Sequence, residues 1–152
     1  MAGQICFVNS GEVALVASTA KSVLQIKAAA NQRVLVRRLR LMGKQPAGGT
    51  DTPVKIRMTR STANFGTFTG ATAGKNNPSN GETLQTTCGS NASVEPTAPT
   101  DSGLWWELPP QIGIIEFLPI TQPIEIPGGQ SIQFECTSAA TPTVMLEADF
   151  EE

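Results

Sequence analysis

The amino-acid sequence predicts an all-β fold, an antiparallel β-sandwich of the jelly-roll type with about eight or nine strands and one long loop excursion. Three observations support this prediction. Apolar residues occur in short alternating runs, and Thr, Gly, Pro, Ser and Asn separate these runs. The length of 152 residues fits one domain, residues 1–152, with a single core. An immunoglobulin-like sandwich is the alternative, although the Cys–Trp–Cys arrangement of antibody domains is missing.

The first half of the chain contains four predicted strands. The clearest alternation places Val54, Ile56 and Met58 on one side, as expected for a strand with one buried face. A turn at Asn31–Gln32 separates two other runs, which we expect to pair as a hairpin. The four predicted strands are 12–18, 22–28, 33–42 and 54–60.

The predicted strand 33–42 has an interrupted pattern. Leu35, Leu39 and Leu41 share one side of it, but Arg37 breaks the alternation. We expect either a β-bulge near Arg37 and Arg38 or a second layer that covers the outward side.

Two segments have no clear alternation. Residues 1–10 form either the first strand of the sandwich or an arm that reaches a neighbouring subunit. Residues 61–103 are mostly polar, and a structureless loop of that length is unusual in a compact domain. We therefore expect a long polar excursion with one weak strand near Thr83–Cys88.

The final part of the sequence has the strongest strand pattern. Short runs at 104–108 and 112–118 come first, followed by an edge segment at 120–126 that Pro123 breaks. Two regular strands then follow, separated by a turn at 139–142. The residues predicted to face the core in these two strands are Ile132, Phe134, Cys136, Val144, Leu146, Ala148 and Phe150.

The basic and acidic residues lie in different halves of the chain. Residues 1–75 contain all eleven Lys and Arg and only two acids, a charge of +9, whereas residues 76–152 contain eleven acids and no base, a charge of −11. Either the two halves lie side by side in one subunit, or a basic face of one copy meets an acidic face of another. Nucleic-acid binding is not favoured, because no binding motif is present and the acidic half repels phosphate.

The sequence contains no recognisable catalytic apparatus. Histidine is absent, which removes the commonest general base and the commonest metal ligand. The segment 70–76 departs from a phosphate-binding loop in its glycine spacing and ends in Asn76 instead of Ser or Thr. Glu107 and Glu116 have no spacing typical of a glycosidase pair. We predict that the protein is not an enzyme and that it uses no metal or cofactor. Its cysteines are predicted to be free thiols: Cys6, Cys88 and Cys136.

The pair Trp105–Trp106 is the most informative local feature. Strand alternation places Leu104, Trp106 and Leu108 on the core side, so Trp105 faces outward with Glu107. Three interpretations of Trp105 follow: a subunit or partner interface, burial under the polar excursion, or a platform on which a sugar stacks. A sugar-stacking platform would require further exposed aromatic residues, and the candidates in the sequence are Phe65 and Phe68.

Five motifs are spread along most of the chain. They are Val13–Val34, Pro53–Arg57, Val94–Thr97, Trp106–Glu107 and Ile126–Gly129. In this order, they resemble a family of small tailed-phage and prophage proteins. The resemblance implies a virion component assembled in the host cytoplasm, most simply a β-sandwich that decorates the phage head as a cement protein. It supplies no catalytic residues.

These observations together predict a non-enzymatic virion structural protein that binds the major capsid protein and associates with itself, as a homotrimer. The alternatives are a tail or neck accessory protein, and a carbohydrate-binding module or adhesin. No membrane partner is predicted, since no apolar stretch has the length of a bilayer span. The residues predicted to form the interface are Trp105, Phe65, Phe68, Arg37, Arg38 and Arg40.

Overall fold

The computed structural model describes residues 3–49, 51–109, 113–117 and 122–152. These residues form thirteen β-strands, eight of them five residues or longer. No helix capable of crossing a membrane occurs in the described ranges. The strands are β1 Ile5–Asn9, β2 Val13–Ala14, β3 Lys21–Lys27, β4 Val34–Lys44, β5 Val54–Ser61, β6 Thr67–Thr69, β7 Gly74–Lys75, β8 Thr87–Val94, β9 Thr100–Leu108, β10 Ile114–Phe117, β11 Ile124–Ile126, β12 Ser131–Thr137 and β13 Thr143–Glu151.

The strands form two antiparallel sheets that pack face to face, which confirms the predicted β-sandwich. Sheet A has the order β10-β4-β13-β1-β7, with β11 also pairing with β4 and β2 with β13. Sheet B has the order β6-β8-β3-β12-β5-β9. The jelly-roll connectivity stays a prediction. The last two strands occupy central positions, β12 in sheet B and β13 in sheet A.

The core lies between the sheets and consists of the inward residues of each alternating strand. The predicted inward residues of β5, β12 and β13 are all buried, which confirms the alternation in these strands. Burial of such side chains is the main favourable term in folding. The largest fully buried side chains include Phe134, Phe150, Leu24, Ile26, Leu39, Leu41 and Ile56.

The bulge predicted near Arg37 is present in β4. Val36 pairs with Phe150 and Arg38 pairs with Asp149, so Arg37 is the extra residue. The bulge reverses the alternation, and Arg37 and its neighbour Arg38 are both only partly buried. The core side of β4 before the bulge is therefore Val34 and Val36. The prediction that Leu35 shares one side with Leu39 and Leu41 was wrong, since Leu35 is only partly buried and pairs with Glu151 whereas the other two are buried.

Two other strand predictions were wrong. β3 and β4 do not form a hairpin, because β3 belongs to sheet B and β4 to sheet A. The turn at Ala30–Asn31 instead carries the chain from one sheet to the other. The predicted strand 12–18 is reduced to the two residues of β2. Of the later predicted segments, residues 112, 118, 120 and 121 lie outside the described residues.

The N-terminal segment and the polar excursion both contribute strands. Of the two alternatives for residues 1–10, the structure shows a strand: β1 pairs with β13 over its whole length. Within residues 61–103, the structure contains β6, β7, β8 and the start of β9. The weak strand expected near Thr83–Cys88 lies slightly later, at β8, where it pairs with β3.

Candidate interaction surfaces

Trp105 and Trp106 lie on β9, which ends sheet B beyond β5. As predicted, they face opposite sides. Trp106 pairs with the buried Ile56 and its ring centroid lies 6.1 Å from that of Phe134 in the core. Trp105 pairs with Arg57 and is 55% exposed.

A bulge in β9 changes the position of Leu104. Trp105 pairs with Arg57 and Asp101 pairs with Thr59. The three β9 residues between Asp101 and Trp105 therefore lie opposite the single β5 residue between Arg57 and Thr59. Gly103 adopts a φ of +75°, a left-handed conformation that favours glycine. The predicted core position of Leu104 was therefore wrong: this side chain is 40% exposed, next to Trp105.

The indole of Trp105 is held in place by Arg57. The guanidinium carbon of Arg57 lies 5.5 Å from the indole centroid, within the range of a cation–π contact. Glu135 fixes this guanidinium by an ion pair of 2.5 Å, and Asp101 lies 3.9 Å away on the other side. An exposed aromatic side chain thus packs against a cation that is itself paired with carboxylates.

A shallow groove of about 560 Å³ runs beside this indole, lined by Lys55, Trp105, Trp106 and Glu107. We call it the indole groove. Lys55 and Glu107 are exposed and lie directly opposite each other on β5 and β9. The groove therefore combines an aromatic face with one cationic and one anionic side chain.

The arginines predicted as interface residues lie on sheet A and are engaged within the chain. Arg37 donates to Glu151 over 2.7 Å. Arg38 bridges Glu147 and Asp149 at 3.2 and 2.9 Å. Arg40 also pairs with Glu147, at 3.3 Å. Hydrogen bonding to Arg37, together with its positive charge, keeps the pKa of Glu151 below its ordinary value, whereas burial opposes this shift.

These contacts bring the two oppositely charged halves of the sequence together. Each ion pair that we describe joins a base from residues 1–75 to an acid from residues 76–152. The predicted contact of the two halves within one chain is therefore present. Contact between a basic face of one copy and an acidic face of another, and the trimer, stay predictions.

A small apolar patch accompanies the ion pairs on the outer face of sheet A. Ile5 and Phe7 alternate on β1 with the buried Cys6 and Val8, and they are 54% and 44% exposed. The ring of Phe7 lies over the backbone of Gly74, where a Cβ atom would be 2.6 Å from the ring. We call these two exposed side chains the β1 patch. The sequence predicts residues 1–10 as a strand or an arm and does not predict that Ile5 and Phe7 form an exposed surface.

Phe65 and Phe68 are partly buried, Phe65 in the segment between β5 and β6 and Phe68 on β6 at the edge of sheet B. The ammonium of Lys27 lies 3.9 Å from the centroid of the Phe65 ring. Phe68 lies against Gly89, where an added Cβ would be 2.5 Å from the Cβ of Phe68. The six predicted interface residues therefore fall on two different sheets and do not form one surface.

The cysteines are free, and burial raises the pKa of each thiol. Desolvation is the largest cause in all three, and it raises the pKa of Cys6 to about 11 and that of Cys88 to about 12. Thiols in this state are protonated at neutral pH and are weak nucleophiles.

Within the described ranges, no group of three or more His, Cys, Asp or Glu side chains is arranged to hold a metal ion.

Comparison of the chain with protein-family models, curated proteins and solved structures finds no match.

Proposed function

We propose that this chain is a non-enzymatic structural protein of a phage particle, a decoration protein that binds the major capsid protein on the outside of the head. The sequence motifs that resemble small tailed-phage proteins support this proposal. So does the absence of histidine from the whole sequence, which leaves the commonest acid–base and metal chemistry without its usual residue.

The observation that supports it best is the presence of two separate exposed apolar surfaces on opposite sheets. The β1 patch lies on sheet A, and the surface of Leu104 and Trp105 lies on sheet B. Exposed apolar and aromatic side chains of this kind mark interaction sites. A rigid sandwich with one such surface on each side can attach to a capsid through one sheet and present the other sheet outward.

We assign capsid attachment to the β1 patch. β1 is hydrogen-bonded on both sides, to β13 and to β7, so its exposed side chains are held by a fixed backbone. Ile5 and Phe7 lie directly opposite Glu151 and Asp149, which gives the apolar pair a charged border. An apolar centre with a polar border is the usual composition of a specific protein interface.

The test uses phage heads that lack the protein. Purified chain is mixed with heads from a gene-deletion phage, and binding is measured by co-sedimentation and by cryo-electron microscopy of the reconstituted heads. We expect density on the outer capsid surface, and loss of binding in the variant I5S/F7S. The control is Val16→Ser, which removes a side chain that is 65% exposed but belongs to neither surface.

Two outcomes would contradict the proposal. If the purified chain does not sediment with deletion heads, the capsid surface is not its partner. If the density lies at the tail or neck, the protein is an accessory component of that part of the particle. Light scattering on the free chain tests the predicted homotrimer independently of attachment.

A further inference from the structure

We propose that the indole groove is a binding site for a neutral saccharide, with Trp105 as the stacking platform and Lys55 and Glu107 as hydroxyl-binding groups. This inference goes beyond capsid attachment and does not depend on it. It rests on the shape, order and charge of a surface on the sheet opposite the β1 patch.

The Trp105 platform packs against a neighbouring side chain. A flexible exposed side chain loses conformational entropy when a ligand binds, and this loss weakens binding. Arg57 lies against the Trp105 ring and is itself paired with Glu135, and such contacts reduce this loss. Trp105 is nevertheless 55% exposed, so an aromatic surface stays accessible.

The charged groups around the groove nearly balance. Arg57 is paired with Glu135 and Asp101, and Lys55 lies opposite Glu107. These two cations and three carboxylates sum to a charge of −1, which disfavours an anionic ligand. A hydroxyl group both donates and accepts hydrogen bonds, so neighbouring hydroxyls of one sugar can accept from the ammonium and donate to the carboxylate.

These groups lie together on one strand pair, β5 and β9. Pyranose rings have a face of C–H groups bordered by hydroxyls, and this face packs on an aromatic ring while the hydroxyls bind polar side chains at its edge. Trp105 and Glu107 are two residues apart on β9, so both point to the outer face. Their partners Arg57 and Lys55 are two residues apart on β5 in the matching positions. The groove is open to solvent, so it can hold one sugar ring of a longer saccharide.

The experiment is a titration of the purified chain with neutral saccharides. The probes are the methyl glycosides of glucose, galactose, mannose and N-acetylglucosamine and the β-linked tetrasaccharides of these sugars. Tryptophan fluorescence and isothermal titration calorimetry measure binding. We expect saturable binding of at least one probe, with a change in tryptophan emission.

Variants distinguish stacking from other causes. Trp105→Ala should weaken binding by about tenfold or more, whereas Trp105→Phe should retain part of the affinity because a smaller ring still stacks. Lys55→Met and Glu107→Gln should each weaken binding while the melting temperature stays close to that of the wild type. The control I5S/F7S should bind saccharide normally, so failure of this proposal and failure of capsid attachment are separate results.

Three results would overturn the proposal. One is the absence of binding to every probe. Another is binding that Trp105→Ala leaves unchanged. The third is that Trp105→Ala alters sedimentation of the free chain or its attachment to heads, which would assign this indole to a protein contact.

Discussion

The outer faces of the two sheets differ in how they accommodate polar side chains. The outer face of sheet A carries charged residues, and Arg38 and Glu147 are still partly exposed to water in their ion pairs. The middle of the outer face of sheet B, beside the charged groups of the indole groove, carries uncharged polar residues that are almost completely buried. There, Thr59 donates to Gln133 over 3.2 Å, and Gln133 donates to Ser131 over 2.7 Å.

The polar excursion causes this difference. After β5 the chain turns back over sheet B, and the backbone carbonyl of Phe65 accepts a hydrogen bond of 2.8 Å from Gln25. Gln25 pairs with Gln133 across the strands, and Gln133 is fully buried although it alternates with the core residues. A covered face excludes water, so its polar groups must bind one another and cannot be charged without a large cost. An open face tolerates charge.

The largest effect is expected from a charge placed on the covered face. Gln133→Glu introduces a carboxyl group at a fully buried position, and should lower the free energy of unfolding by about 3–5 kcal/mol. The matched change on the open face, Glu147→Gln, should cost about 1 kcal/mol or less. Urea denaturation of both variants measures the two values. Equal costs would show that the outer face of sheet B is not sealed from water.

A smaller loss of stability is expected from replacing Gly66, which lies where the chain after β5 turns back over sheet B. Gly66 has a φ of +75°, and an added Cβ would be 2.5 Å from the carbonyl oxygen of Val94. Gly66→Ala should therefore destabilise the protein by about 2 kcal/mol and expose the segment to protease. The control is Gly48→Ala, where φ is +73° but no atom lies within 4 Å of the added Cβ. If both variants lose the same stability, backbone conformation alone explains the effect and the close contact has no role.

The ion pairs of sheet A should give a still smaller effect. Arg38 bridges two carboxylates on a partly exposed surface, so Arg38→Ala should cost about 1 kcal/mol at low ionic strength. The difference should shrink in about 1 M salt, where the Debye length is about 3 Å. Thermal melting at both salt concentrations measures it. A difference that does not change with salt would indicate lost packing of the arginine side chain.

The smallest change in stability is expected from the pH dependence of the ion pair between Arg37 and Glu151. Because Arg37 holds the pKa of Glu151 below its ordinary value of 4.5, the pair stabilises the fold above that pH. The stabilisation is lost as the pH falls through the pKa of the folded state. Arg37→Gln should therefore melt below the wild type at neutral pH, and the gap should narrow in acid. A gap that is constant from pH 7 to about pH 3 would contradict this linkage.

The sequence predicts well those strands that have one buried face, because their apolar residues repeat at every second position. Alternation identified β5, β12 and β13 and their core residues. It failed for β8, whose residues are mainly Thr, Gly, Ser, Asn and Ala. Such a strand is held by backbone hydrogen bonds to its neighbours, and these bonds leave no pattern in the sequence.

The candidate surfaces were only partly predictable for a related reason. The outward direction of Trp105 follows from local alternation. The exposure of Leu104 depends on a bulge of β9 against β5, and the pairing of Arg37, Arg38 and Arg40 depends on the non-local neighbour β13. A single sequence shows which charges exist but not which strands bring them together.

The position of the last two strands has a consequence for how the protein folds. Residues 131–151 supply the central strand of both sheets, so a nascent chain without them lacks the partner of β3 and β5 and also that of β1 and β4. Before they are made, β3 can pair with β8 and β5 with β9, but these pairs cannot join into one sheet, and β1 and β4 likewise stay apart. Non-local pairing of this kind folds slowly, because long loops close before many contacts form. The period before β12 and β13 are synthesised is therefore the one in which unpaired strand edges are most exposed to aggregation.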